Sequence, residues 1–232
     1  MKHKLPLRQR QWYKLDNAAK AFPGQNSSTW SNVFRLSATL TEKIDPELLQ
    51  RALERIMPRF PSFDVRIRNG LFWHYLEKNP NTAPTVMPDM ANPCLRIKFK
   101  ENKGYLFRVY YYENRISVEF YHVITDGFGA SRFFMTLLAV YLRLKGADIP
   151  CGGMVLDINE RPAISEQEDA YLKFVKSKAK AKRVEKFAYQ AKGKRLPKHL
   201  TTVTTGYMPV DVIKTKAKEQ GVTIAEYIAG LL

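Results

Sequence analysis

A histidine, an aspartate and a glycine fall within six residues in the stretch His122-Val-Ile-Thr-Asp126-Gly127. The segment before it, residues 115–122, alternates apolar and polar side chains and predicts a strand, and the long apolar segment after Gly127 predicts a helix. An imidazole at the end of a strand can accept a proton from a substrate when its surroundings tune it. The stretch therefore indicates acid–base chemistry, and nothing else in the sequence does so as clearly.

The three polar or flexible residues of this stretch have different expected roles. Alternation places His122 on the face that carries Ile116, Val118 and Phe120, at the rim of a buried surface. Asp126 is suited to bonding backbone amides of the turn or to pairing with a basic side chain, and Gly127 to a tight passage into the helix. The plainer alternative is a structural histidine followed by an ordinary helix cap.

Residues 121–127 resemble the HxxxDG motif of the CoA-dependent acyltransferase superfamily, which includes chloramphenicol acetyltransferases, alcohol acetyltransferases and the condensation domains of nonribosomal peptide synthetases. Residues 12–22, 63–66, 188–197 and 221–227 are similar to the bacterial alcohol acetyltransferase-like branch. The resemblance implies acyl transfer from acyl-CoA to a small-molecule alcohol or amine acceptor. Acyl-CoA is then a co-substrate, and neither a metal nor a permanently bound cofactor is expected.

By this resemblance, His122 is the general base, and Asp126 is structural and pairs with an arginine at the position of Arg66. Condensation domains usually carry two adjacent histidines, whereas Tyr121 stands in the first place here, which favours a small-molecule acyltransferase over peptide synthesis. The second motif of the family, DFGWG, is absent. We therefore expect the N-terminal half and the beginning of the second half of a longer protein, without its C-terminal half-domain.

The elements around the motif predict an α+β fold with a chloramphenicol acetyltransferase-like mixed, mostly antiparallel sheet and flanking helices. A helix is expected between Asp45 and Pro58, and Asn69-Gly70 predicts a hairpin. Strands are predicted over residues 33–40, 63–68, 71–76, 94–100, 105–112, 115–122 and 200–207, and further helices over residues 128–145 and 210–220.

Three regions are expected along the chain. Residues 1–160 form an N-terminal acyltransferase-like subdomain, residues 161–199 a basic linker or helix, and residues 200–232 the beginning of a truncated C-terminal subdomain. Thr223 and Glu226 have the spacing of a capping box for the last helix. That helix ends on two leucines without a cap or a polar tail, which also indicates a truncated chain.

The basic character of the chain is concentrated in one segment. The net charge is +16, and residues 173–198 alone contain eleven Lys or Arg against one acidic residue. Such charge indicates an anionic partner, whether a phosphate-bearing small molecule, a membrane surface or nucleic acid. A solvated helix face or linker is the commoner explanation of a charge run, and the absence of a nucleic-acid motif argues against nucleic acid.

The remaining features exclude several classes of protein. Cys94 and Cys151 are too few for a disulfide framework and lack metal-site spacing. The most apolar stretch, residues 133–142, is too short to cross a bilayer, and no signal peptide is visible, so we expect a cytoplasmic protein without a transmembrane segment. Two rivals to the enzyme stay open: a non-catalytic binding module with an acyltransferase-like fold, and a basic nucleic-acid-binding protein.

Overall fold

The computed structural model describes residues 12–16, 19–27, 29–71, 73–163 and 200–231, together with positions 166, 187, 190, 192–194 and 196–197. The strands are β1 Trp12–Lys14, β2 Val33–Thr39, β3 Val65–Asn69, β4 His74–Lys78, β5 Met87–Pro88, β6 Phe107–Tyr112 and β7 Arg115–Tyr121. The α-helices are α1 Phe22–Gln25, α2 Pro46–Ile56, α3 Gly127–Leu144, α4 Val210–Glu219 and α5 Ile224–Leu231. The chain divides into two compact units, Met1–Leu200 and Thr201–Leu232.

The first unit contains two β-sheets. The larger has the strand order β2-β7-β6-β5, in which β2, β7 and β6 run antiparallel and the two-residue β5 runs parallel to β6. The smaller has the order β1-β4-β3 and is antiparallel. The predicted α+β fold, with mixed, mostly antiparallel sheets and flanking helices, is therefore confirmed.

Helices α2 and α3 cover one face of the larger sheet. Asp45 caps α2 by accepting from the backbone N–H groups of Glu47 and Leu48 at 2.9 and 3.0 Å, as the Asp-Pro start predicts. From α3, Phe133 lies at the centre of an aromatic cluster, with its ring centroid 4.6 to 5.8 Å from those of Phe60, Phe63, Phe107 and Phe120. Truncating such a ring to alanine typically costs about 3–5 kcal/mol of stability.

The opposite face of the larger sheet buries charged side chains beside a second apolar cluster, which contains Leu106 and Tyr121. Glu119 of β7, which is 2% exposed, accepts from Arg35 of β2 and forms an ion pair with Arg108 of β6 at 3.2 Å. Arg35 also makes two hydrogen bonds to Asp89, at 2.8 and 3.0 Å. Each buried charge thus has an opposite charge in contact, which offsets the cost of removing both from water.

The predicted strand over residues 94–100 is wrong, because side chains satisfy the backbone of this segment in place of a neighbouring strand. The Cys94 N–H donates to Glu119 at 2.7 Å, and the Cys94 carbonyl accepts from Ser31, also at 2.7 Å. The carbonyls of Leu95 and Ile97 accept from Arg108 and Asn26.

The hairpin at Asn69-Gly70 forms with a different turn. Asn69 pairs with His74 inside the ladder, so the connection covers residues 70–73 rather than the two residues of an Asn-Gly turn. The Gly70 N–H donates to the Trp73 carbonyl at 2.6 Å. A Cβ on Gly70 would approach the Trp73 indole to 3.0 Å, so packing of this ring shapes the connection.

The second unit consists of α4 and α5. The predicted capping box is confirmed, because the Thr223 hydroxyl accepts from the Glu226 N–H at 3.2 Å and the Glu226 carboxylate accepts from the Thr223 N–H at 2.8 Å. The strand predicted over residues 200–207 is wrong: this segment is exposed and belongs to neither of the two sheets. A strand needs a neighbouring strand to satisfy its backbone.

Most of residues 161–199, which carry the predicted basic linker or helix, lie outside the described residues. Among the helices that are described, none is long and apolar enough to cross a membrane.

Asp89 should make the stability of the fold depend on pH. Burial opposes its ionisation, but hydrogen bonds and charge from Arg35 outweigh burial and hold the pKa of Asp89 below its ordinary value of 3.8. The ionised carboxylate therefore stabilises the fold above about pH 4, and this contribution is lost as the pH falls further. We expect the free energy of unfolding, measured by urea denaturation, to decline between about pH 5 and about pH 2.

The Asp89→Asn variant should be less stable at neutral pH by about 1–3 kcal/mol, because Arg35 loses the charge of Asp89 but keeps Glu119 as a partner. The free energy of unfolding of this variant should also decline less steeply with falling pH than that of the native chain. Asp148→Asn, which removes an exposed carboxylate without an ion pair to any described residue, is the control and should keep the native slope. Equal slopes for the native chain and Asp89→Asn would contradict the assignment.

Candidate active site

His122 is the first residue after β7, and its imidazole is exposed. Its backbone N–H donates to the Asn32 carbonyl at 2.9 Å, which continues the pairing of β7 with β2 by one residue. The ring centroid lies 4.8 Å from that of Phe34 and 5.5 Å from that of Phe22. Neither ring nitrogen forms a hydrogen bond with a described residue, so both are available to a ligand.

The register of β2 against β7 explains this placement. Phe34 pairs directly with Phe120, and Phe120 lies in the apolar cluster under α2 and α3 together with Ile116 and Val118. His122 follows Phe120 by two residues and reaches the end of the same face, where it contacts Phe34 diagonally. The predicted position of His122, at the rim of this apolar face, is therefore confirmed.

Tyr121 belongs to the opposite side of the strand. It is fully buried in a second apolar cluster, 5.7 Å from the Phe99 ring, and its hydroxyl has no hydrogen-bond partner among the described residues. Burial raises the pKa of this phenol well above its ordinary value. Tyr121 is thus a packing residue and does not share a face with His122.

Asp126 caps α3. Its Oδ1 atom accepts from the Gly129 N–H at 2.9 Å, while its backbone is extended, with φ −90° and ψ −175°. Of the two roles expected for this aspartate, the structure shows the hydrogen bond to a backbone amide. No described arginine or lysine forms an ion pair with its carboxylate.

Arg66 does not pair with Asp126 in this structure. It lies on β3 directly opposite Glu77 of β4 and donates to that carboxylate through Nε at 2.8 Å and through Nη2. Burial opposes ionisation of Glu77, but Arg68 and Arg66 outweigh it and hold its pKa below the ordinary value. Arg66 therefore pairs with Glu77, the acid directly opposite it on the neighbouring strand. This corrects the pairing of Arg66 with Asp126 that the resemblance implies.

The glycine that α3 requires is Gly129 rather than Gly127. A Cβ on Gly127 would meet no atom within 4 Å, and its φ is not positive, so the expected need for glycine there is wrong. A Cβ on Gly129 would overlap the hydroxyl oxygen of Thr125 and come within 3.5 Å of Asp126. The cap brings the chain so close to the first turn that position 129 lacks room for a side chain.

A cavity of about 680 Å³, which we call the motif cavity, is lined by residues 123–126 of the motif and by residues 13–16 and 59–63. Asp126 lines it, whereas His122 is not part of its lining. Arg132 also lines it and stacks on Phe128, with 5.1 Å from Cζ to the ring centroid, while its Nε atom is buried without a partner among the described residues. The motif thus presents His122 and Asp126 to different surroundings.

The lining of the motif cavity contains the ion pair between Arg59 and Glu166. Arg59, which is 4% exposed, donates to the Glu166 carboxylate at 2.6 and 3.0 Å and to the Asp157 carbonyl at 3.2 Å. This arginine, Arg132 and the rings of Phe22 and Phe34 were not predicted as parts of the site. Phe22 lies in the segment 12–22, whose resemblance assigned it no role, and the register of β2 is what could have indicated Phe34.

The described residues contain no group of three or more His, Cys, Asp or Glu side chains that could hold a metal ion. The exposed imidazole of His122 is a group with the chemistry of a base, and its two phenyl neighbours, Phe22 and Phe34, cover one side of it. An imidazole in such a place can take a proton from a hydroxyl or an amine that reaches hydrogen-bond distance.

A scan against models of known protein families finds no match to the chain, and a search of curated proteins also finds none. Among solved structures, the chain is similar to the starter condensation domain of the rhizomide synthetase RzmA, with 13% identity and a TM-score of 0.47 over 61% of this chain and 42% of that one. A structure of an RzmA mutant domain contains C8-CoA.

Two other solved structures are similar at the same level. Polyketide synthase associated protein 5 from Mycobacterium tuberculosis is 15% identical, with a TM-score of 0.45 over 62% of this chain and 36% of that one. The SgcC5 protein from Streptomyces globisporus is 16% identical, with a TM-score of 0.41 over 53% of this chain and 32% of that one. The chain spans less than half the length of these solved chains, and at such identities the likeness concerns the fold alone.

The two glycines of the motif helix should respond differently to alanine. Gly127→Ala should be neutral or stabilising by up to about 1 kcal/mol, because it restricts the unfolded chain at a site with room for a methyl group. Gly129→Ala should lower the free energy of unfolding by about 1–3 kcal/mol, because the methyl group displaces Thr125. Thermal or urea denaturation measures both changes.

The clash between a methyl group at position 129 and the Thr125 hydroxyl can also be removed by changing Thr125. In a Thr125→Ala background the hydroxyl oxygen is gone, so Gly129→Ala should cost less there than in the native chain. An equal cost in both backgrounds would contradict the close approach of Thr125 to Gly129.

Asp126 and Arg66 should behave as independent residues. Asp126→Ala should lower the free energy of unfolding by about 1 kcal/mol through loss of the cap. Asp126→Asn should keep most of the stabilisation that the cap provides, because asparagine also caps helices. In a double-mutant cycle with Arg66→Ala, the two losses should add to within about 0.5 kcal/mol. A coupling energy above about 1 kcal/mol would instead indicate the ion pair that the resemblance implies.

Proposed function

We propose that this chain supplies the general base of an acyltransferase and that His122 is that base. The observation that carries the proposal is an exposed imidazole, free of hydrogen bonds to described residues, held at the end of a buried strand between Phe22 and Phe34. The strand, cap and helix around it follow the HxxxDG pattern, in which the aspartate serves structure. Here Asp126 serves structure as a helix cap.

The proposed donor is acyl-CoA, and the proposed acceptor is a small-molecule alcohol or amine. His122 removes the proton from the acceptor as its oxygen or nitrogen attacks the thioester carbonyl carbon. The resulting tetrahedral intermediate expels CoA thiolate, the carbon–sulfur bond breaks, and the imidazolium returns the proton to the sulfur. Base catalysis of this kind typically contributes about 10²–10⁴-fold to the rate.

We further propose that a C-terminal half-domain completes the site. The exposed side of the imidazole has no wall from the described residues, whereas acyl transfer needs both substrates positioned and water excluded. The choice of a small-molecule acceptor rests on Tyr121, because its buried phenol cannot replace a second histidine beside His122.

The test is release of CoA thiol from acetyl-CoA and longer acyl-CoAs in the presence of a panel of alcohols and amines. The 232-residue chain and a longer polypeptide that includes the proposed C-terminal half-domain are measured in parallel. We expect His122→Ala to lower the rate of the longer polypeptide by about 10²–10⁴-fold with the fold retained, because the exposed imidazole contributes little to packing.

His74→Ala is the matched control. His74 lies on β4 in the smaller sheet, so its loss should leave turnover unchanged. Turnover that survives His122→Ala would refute the role of His122. Binding of acyl-CoA without turnover across the whole panel would favour the non-catalytic binding module.

A further inference from the structure

A second cavity, which we call the basic cavity, lies against β3, β4 and residues 96–104 and has a volume of about 1240 Å³. Strands β3 and β4 contribute Arg66, Arg68 and Lys78 to its lining. The segment after β5 contributes Arg96, Lys98, Lys100 and Lys103. Only two acidic side chains, Glu77 and Glu101, line the same space, so the cavity carries a strong excess of positive charge.

The two acids leave several of these cations uncompensated. Glu77 binds both Arg66 and Arg68 through one oxygen, and Glu101 binds Lys98 at 2.7 Å. Arg96 and Lys100 form no hydrogen bond or ion pair with any described residue. A concave surface lined by one sign of charge concentrates its field and raises the local concentration of the opposite ion.

The motif cavity differs sharply in charge. Its lining contains three basic side chains and three acidic ones: Lys14, Arg59, Arg132, Asp16, Asp126 and Glu166. The excess of positive charge is therefore a local property of the basic cavity and does not simply follow from the high net charge of the chain. The motif cavity and the basic cavity therefore present different charge to a ligand.

One wall of the basic cavity is held in a conformation that is costly to form. Asn102, Lys103 and Gly104 have φ angles of 50°, 54° and 84°, which are left-handed and unfavourable for the first two residues. Asn79, which is 2% exposed, secures this turn by donating to the Lys103 carbonyl at 3.1 Å. Asn81 donates to the same carbonyl at 2.9 Å.

We propose that the basic cavity binds a small molecule that carries a diphosphate, such as a nucleoside diphosphate. Guanidinium and ammonium groups on facing elements suit adjacent phosphates, because each phosphate accepts several charge-assisted hydrogen bonds. Tyr75 and Phe99 are half-buried in the same lining and offer apolar surface to a ring. The volume exceeds that of a usual small-molecule site and admits such a ligand.

The test measures binding of inorganic diphosphate and of ADP to the chain by isothermal titration calorimetry, with adenosine as the uncharged comparison. Both phosphate compounds should bind, and adenosine should bind more weakly than ADP. Raising the salt concentration from about 50 mM to about 500 mM should weaken binding, because exposed charges are screened. The double variant Arg96→Glu with Lys100→Glu should weaken diphosphate binding by about 10-fold or more.

The double variant Lys43→Glu with Arg51→Glu is the matched control. Both residues are exposed and lie outside the lining, so the change in net charge is equal and diphosphate binding should stay within about 2-fold of native after correction for long-range charge. The milder pair Arg96→Gln with Lys100→Gln repeats the test if charge reversal disturbs folding. His122→Ala should bind diphosphate as the native chain does, which separates this site from the proposed base.

Three results would overturn the proposal. The first is absence of diphosphate binding by the native chain at about 10 mM ligand, since affinities weaker than that amount to less than about 3 kcal/mol. The second is equal weakening in the cavity variant and the matched control. The third is binding of a single-stranded oligonucleotide without any binding of diphosphate or ADP, which would assign the charge to nucleic acid.

Discussion

Burial of β7 on both faces is the constraint on which the rest of the first unit depends. Every residue from Ile116 to Tyr121 is buried, with β2 paired along one edge and β6 along the other. A strand enclosed in this way cannot shift its register, because a slip of one residue would exchange the apolar face with the charged one. His122 inherits its position from this register, and so does the cap that starts α3.

The charged face of β7 shows how a polar layer can be buried without orphaned charges. Glu119 joins Arg35 and Arg108 across three strands and also accepts from the backbone of Cys94. The same interactions draw the segment after β5 over the sheet, and this segment then forms a wall of the basic cavity. The buried ion pairs of Glu119 thus help to place the basic side chains of this segment in the lining of the basic cavity.

Local signals in the sequence predicted the local structure well. The caps of α2 and α5 and the strand and helix around the motif depend on neighbouring residues, and the structure contains all of them. Two predicted strands failed for a common reason. A strand forms only when another backbone lies beside it, and alternation in residues 94–100 and 200–207 carries no information about such a neighbour.

The sequence by itself determined that the chain forms an α+β fold, that His122 ends a strand at an apolar rim and that Asp126 is available to cap a helix. These properties arise from residue types within a few positions of each other. Only the tertiary structure decided that Arg66 binds Glu77 and that Gly129, rather than Gly127, must lack a side chain. It also decided that Phe22 and Phe34 flank His122. Finally, it brought seven basic side chains to one cavity. Each of these depends on strand register or on segments distant in sequence, because contacts across a sheet are set by packing of the whole core rather than by local preference.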